Sequence, residues 1–289
     1  GGVQVVTTVL KLLPMVVIIG LGLWVLFSDP GAYTRHAPST PISLKDLMAA
    51  STVGLFAMLG IECATVPAGR VKDPEKTIPR ATIAGTIVTA AVYLAVSAVT
   101  LMLLPQAELA KSTAPFVDVL SRYTGAGSGQ WLAAFVVISG LGALNGWTLL
   151  VGELTASMAR HGVMPAALGR MNSRGAPATA LVVTAVLASL MVAMNYSKSL
   201  VEGFTFLTLV VTAATLPLYF FCAIALAVYC RKAGLTASRD LTMMGVIGTV
   251  YSVFAFIGIG KEPFMWSLVL AAVGLPLYAW MRRPQRVTA

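Results

Sequence analysis

GLFAMLGIECATVPAG, residues 54–69, is an apolar run with one carboxylate, Glu62, in its middle. Glu62 is the only charge between Asp46 and Arg70. Gly60 precedes it, and Pro67 and Gly69 follow. A charge at the centre of a membrane span costs several kcal/mol on insertion scales, so it needs a structural or functional reason. Glycine, a carboxylate, small polar residues and proline within ten positions describe a discontinuous helix. Unwinding exposes backbone amides and carbonyls, which a ligand or cavity water can satisfy. The plainer reading is a structural Glu, protonated and bonded to a neighbouring helix. The discontinuous-helix reading places a break at about 58–66.

The rest of the chain has the same character. Of its 289 residues, 57% are hydrophobic and only 11% are Asp, Glu, Lys or Arg. An average soluble protein carries roughly 25% charged residues. This excludes a soluble domain, a disordered chain and a coiled coil, and leaves an all-α integral membrane protein. Long apolar runs without alternation argue against barrel strands. About eight transmembrane helices are expected, near 3–27, 46–69, 81–104, 129–159, 177–194, 203–229, 241–260 and 264–281. They form a single transmembrane domain over 1–289, with the 177–194 and 264–281 segments short for a span. The loop at 105–128 has room for a short surface helix and not for a domain.

The net charge of +9 is topogenic and does not indicate nucleic acid. One set of alternate loops carries 13 Lys and Arg, the opposite set 6. The richer set, which includes Arg70, Lys72, Arg160, Arg170, Arg231 and Arg282, belongs in the cytoplasm by the positive-inside rule. That places the C-terminus and the end at Gly1 in the cytoplasm. The loop at 28–44 faces outward.

Lys11 is the one cation inside a span, three residues before Pro14. It lies about eight residues, roughly 12 Å, from the cytoplasmic end. It can snorkel to that surface, or occupy a buried ion site and titrate there during transport, because desolvation makes a lysine's protonation switchable. A third group is SGLGALNGWTLLVGE, residues 139–153. Gly142 and Gly146 form a small-residue step that admits a close helix neighbour. Asn145 and Trp147 lie beside it. A mid-membrane indole either packs in the core or offers its face to a cationic or aliphatic ligand. Glu153 is read as an interfacial residue or part of an inner gate.

The cysteines, Cys63, Cys222 and Cys230, form no disulfide framework. His36 and His161 fall in loops without metal-ligand spacing. No nucleophile elbow, phosphate loop or metal motif is present, so no enzyme, cofactor or metal is expected.

GIECATVPAGRVKDPEKTIPRATIAGT, residues 60–86, resembles the amino acid–polyamine–organocation superfamily, in which a broken sixth helix precedes a basic loop of this form. The match includes Glu62, Ala68, Gly69, Val71, Lys72, Pro74, Ile78, Pro79, Arg80 and Ala81. STAPF at 112–116 and GWTLLVGE at 146–153 also look like that family, and its basic amino acid and arginine/agmatine-type antiporters in particular. The resemblance implies the C-terminal part of a twelve-helix fold whose first ten helices form two inverted five-helix repeats. On that scheme the chain runs from the fifth helix to the twelfth, and four N-terminal helices of the same protein are expected as partners.

The resemblance implies a substrate-binding set of Trp147, Glu62, Gly60, Ile61, Phe56, Leu59 and Asn145. Trp147 falls where the exchangers stack an indole on the substrate. Glu62 falls at their sixth-helix carboxylate, Phe56 at a gating aromatic and Leu59 at an apolar contact. Asn145 stands where they have Gly, and Ala57 replaces a small hydroxyl. Lys11 looks instead like the fifth-helix lysine of proton-coupled permeases, where the ammonium fills a sodium site. Lys11 and Glu62 are therefore the expected proton-coupling residues.

The implied function is secondary transport of basic amino acids or their amines in a bacterial inner membrane by alternating access. Lys11 favours the alternative of a proton-coupled neutral amino acid permease. A non-transporting sensor or partner subunit is a third reading. The expected partners are an amino acid or amine, protons, the lipid bilayer and a second copy in a homodimer, though the small-residue step suits packing within one chain as well as between two.

Overall fold

A computed structural model describes residues 2–36, 41–66, 71–194, 199–233 and 238–281. These residues are almost wholly helical, with no strand among them. The principal helices are α1 (Gly2–Ser28), α2 (Ala32–Arg35), α3 (Leu44–Met58), α4 (Pro74–Leu103), α5 (Gln106–Leu109), α6 (Pro115–Thr124) and α7 (Ala126–Arg160), followed by α8 (Ala178–Met194), α9 (Leu200–Ala233), α10 (Ser238–Gly258) and α11 (Lys261–Met281). Seven segments among the described residues are long and apolar enough to cross a membrane. The eighth expected span is the 17-residue α8. At 1.5 Å per residue it covers about 26 Å, just short of a 30 Å hydrocarbon core. The chain is a multi-pass membrane protein. Pro67, Ala68, Gly69, Arg70, Arg282, Arg283 and Arg286, used above for the break, the resemblance or the charge count, lie outside the described residues.

Helix ends follow local chemistry. Ser43 opens α3 with a reciprocal cap: its hydroxyl accepts from the Asp46 amide at 3.1 Å, and its own amide donates to the Asp46 carboxylate at 3.2 Å. The segment expected to begin at 81 begins at Pro74. Hydropathy marks only the lipid-depth part, whereas Pro74 at the first helical position loses no bond and starts the helix within the charged loop. The loop at 105–128 contains two short helices, α5 and α6, tied by the Arg122–Glu108 ion pair. The STAPF stretch starts the second of them: the Ser112 hydroxyl accepts from the Ala114 amide at 3.2 Å and donates to Asp118.

The chain divides into two compact units, Gly1–Thr40 with Gly60–Val201, and Pro41–Leu59 with Glu202–Ala289. In the first unit, Ile18, Leu21 and Val25 of α1 bury against Val96, Val99 and Leu103 of α4, Val119 and Leu120 of α6, and Leu132 of α7. Amphipathic α6 turns its two buried residues onto this cluster and leaves Asp118 and Arg122 outward. In the second unit, the Thr52 hydroxyl on α3 donates to the Ala255 carbonyl on α10 at 3.1 Å. Ala213, Leu216, Ala255 and Ile259 form its buried core.

Candidate functional site at the helix break

Helix α3 ends at Met58. Leu59 is extended, with φ −63° and ψ 144°, and Gly60 is left-handed at φ +102°. A 3₁₀ turn, Ile61–Thr65, then continues the segment. The break expected near 58–66 is therefore a two-residue hinge between an α-helix and a tighter helix. Glycine meets the positive φ at little cost, where a side chain would be strained.

Two side chains converge on Gly60. The Glu62 carboxylate accepts the Gly60 amide at 3.0 Å. This satisfies the amide of the residue that caps the 3₁₀ turn, at the end of a helix where donors lack intrahelical partners. The Trp147 indole lies against the same residue: a methyl group on Gly60 would stand 3.0 Å from Trp147 Cη2 and 3.1 Å from Cζ2. Trp147 is 49% exposed, so part of its ring remains open beyond this contact. Glu62 is half-buried and Ile61 is exposed. An open indole and a carboxylate meeting at one backbone position can receive an ammonium or guanidinium group, by cation–π attraction and a charge-assisted hydrogen bond.

The other candidates are distributed differently. Asn145 is exposed on α7, two residues from Trp147. That spacing turns it about 200° round the helix from the indole. Phe56 and Leu59 belong to the second unit, where Phe56 meets Phe204 edge-on with ring centroids 6.3 Å apart. Glu153 pairs with Arg160 one helical stretch further along α7, at 3.6 Å. Among the described residues no cluster of His, Cys, Asp or Glu could hold a metal.

Lys11 is half-buried on α1. Helices α1 and α7 cross where Gly142 meets Thr7, with no room for a Cβ on the glycine. Lys11 is one turn from Thr7 on the same face. The two helices run antiparallel, because Leu132 shares a buried cluster with Ile18, Leu21 and Val25 while Gly142 packs with Thr7. Lys11 and Trp147 thus lie to opposite sides of the crossing, about 13 Å apart along the helices. The small-residue step at Gly142 is filled by the chain's own α1. Thr7 was not legible beforehand: one hydroxyl of the Thr7–Thr8 pair in an apolar run carries no signal of what it packs against.

A family model described as amino acid permease matches residues 1–278. The chain belongs to this family of amino acid permeases. It is 30% identical over 230 residues to the putrescine transporter PotE of Haemophilus influenzae, covering 78% of this chain and 53% of that protein. A putative arginine/ornithine antiporter of Bacillus subtilis is 30% identical over 293 residues, covering 96% of this chain and 61% of its own length. The cadaverine/lysine antiporter of Escherichia coli K12 is 29% identical over 231 residues, covering 78% and 51%. The chain thus spans between about half and three-fifths of the curated relatives it matches. The family and these relatives are transporters, in keeping with the absence of an enzymatic motif from the sequence.

Proposed function

We propose that the chain forms the substrate-bearing part of an antiporter for basic amino acids or their decarboxylated amines, working by alternating access. The observation that carries this reading is the convergence of Trp147 and Glu62 on Gly60 at the helix break. The indole stacks on the cationic or aliphatic part of the substrate, and the carboxylate supplies the negative charge beside it. The names of three relatives, which concern putrescine, arginine with ornithine, and cadaverine with lysine, agree with a cationic cargo. Ile61, Phe56, Leu59 and Asn145 are proposed as secondary contacts on the resemblance alone. A cytoplasmic C-terminus fits the distribution of Lys and Arg, and a bacterial inner membrane fits the bacterial relatives. Counterflow in proteoliposomes tests the reading. Vesicles loaded with arginine or putrescine should accumulate the labelled compound, and vesicles loaded with alanine should not accumulate labelled alanine. Equal counterflow of alanine would overturn a cationic specificity.

A second reading is proton-coupled uptake of neutral amino acids, favoured by half-buried Lys11 near the α1–α7 crossing. Lys11 is far enough from Trp147 to move a proton without touching the substrate. Uptake of alanine driven by an imposed pH gradient, with no internal substrate, would favour this reading.

A further inference from the structure

The second unit contains a cleft of about 470 Å³ that the transport reading does not use. Phe220 of α9, Val253 and Phe256 of α10 and Phe264 of α11 wall it, and Lys261 stands at its mouth. Phe256 and Phe264 meet edge-on at 6.3 Å and 88°. Helices α10 and α11 are joined by only Ile259 and Gly260, the glycine left-handed at φ +84°. A two-residue turn between two membrane-spanning helices sets its own depth, at the bilayer surface. Val253 lies seven residues before Gly260, so the cleft runs about 10 Å from that surface into the apolar layer. It is therefore polar at headgroup level and aromatic at acyl-chain level.

We propose that this cleft holds an anionic phospholipid of the surrounding bilayer, its acyl chain along Phe220, Phe256 and Phe264 and its headgroup at Lys261. Charge and depth select this occupant. Lys261 is exposed and opens α11, whose first turn adds the positive end of the helix dipole. Exposed Glu262 beside it offsets part of that field and points about 100° away round the helix. A cationic transport substrate would be repelled at the mouth. A purely apolar helix would cover the rings and offer Lys261 no partner. A phospholipid leaves its phosphate where Lys261 already is and places only hydrocarbon against the rings. One basic residue near a membrane surface favours an anionic over a net-neutral lipid by about fivefold.

Native mass spectrometry of the full protein tests the proposal. Phosphatidylglycerol and phosphatidylcholine with identical acyl chains are offered in equal amounts in mild detergent. The expected result is one tightly retained phosphatidylglycerol per chain, favoured about fivefold. Lys261→Gln should abolish the preference, Lys261→Arg should keep it, and Phe264→Ala should lower retention of both lipids. The Lys261 variants unfold at the wild-type temperature, because the side chain is exposed. Equal retention of the two lipids by the wild type, an unchanged preference in Lys261→Gln, or a lipid-free dimer that cross-links through Phe264→Cys would each overturn it.

Discussion

The aromatic tip of Trp147 rests on the backbone of Gly60, close enough that a methyl group there would stand 3.0 Å from Trp147 Cη2. Gly60 is thus required twice, by its φ of +102° and by the ring above it. Gly60→Ala should destabilise the protein by about 1–2 kcal/mol from the left-handed backbone alone, with a further loss from the ring contact. Combining it with Trp147→Leu should recover the steric part and leave the backbone part. Thermal unfolding of the two single variants and the double variant measures both. Wild-type stability in Gly60→Ala would contradict the hinge geometry.

Glu62 serves the fold before it serves a substrate, since its carboxylate accepts the Gly60 amide. Glu62→Gln keeps an acceptor oxygen and should unfold near the wild-type temperature. Glu62→Ala leaves the amide without this acceptor and should cost about 1–3 kcal/mol. In transport, Glu62→Gln should impair cationic substrates more than neutral ones. Equal impairment of both would show that the carboxylate acts only on the backbone.

The break was legible in the sequence because its two causes sit together: a glycine free to turn left-handed and a carboxylate too costly to leave in lipid without a partner. What Gly60 touches was not legible, since Trp147 is 87 residues away and nothing local pairs them. Proximity along the chain misleads at Asn145, which neighbours Trp147 in sequence and faces away from it on the helix. Gly142 advertised a close contact through its size, while its partner Thr7 did not. The pairing of Phe56 with Phe204 joins residues nearly 150 positions apart, beyond the reach of any local pattern. Hydropathy found the spanning segments and missed the water-exposed first turns of α4, where Pro74 and Asp73 set the start.

Lys11 and Trp147 lie on opposite sides of the Thr7–Gly142 crossing, so their roles should be separable. If Lys11 carries a coupling proton, Lys11→Ala should abolish the response of uptake to a pH gradient. Exchange of internal for external substrate should persist, because exchange requires no net proton movement. Unchanged dependence on the gradient in Lys11→Ala would identify a plain exchanger, with Lys11 serving only to reach the surface.

Tyr33, on α2 between two spans, donates to the Gly22 carbonyl. Burial, and then the neighbouring Tyr123, pushes its phenol above the ordinary value of 10.0. A raised acidity constant means that the folded state favours the protonated phenol. The stabilisation is complete below about pH 10 and is lost as pH rises through the folded value. Spectrophotometric titration should show one tyrosine ionising late, and Tyr33→Phe should remove that component. An unchanged titration curve in Tyr33→Phe would assign the late tyrosine elsewhere.

Substrate affinity in Trp147 variants tests the proposed binding site most directly. Cation–π contact contributes about 0.5–2 kcal/mol, so Trp147→Leu should weaken binding of arginine or putrescine by up to about thirtyfold at 1.4 kcal/mol per decade. Trp147→Phe, which keeps a smaller aromatic face, should weaken it less. Calorimetric titration of the purified transporter with putrescine reads both. Graded loss from Trp to Phe to Leu would place the cationic substrate on this ring. Unchanged affinity in Trp147→Leu, in a protein that folds normally, would contradict a binding site at the Gly60 break.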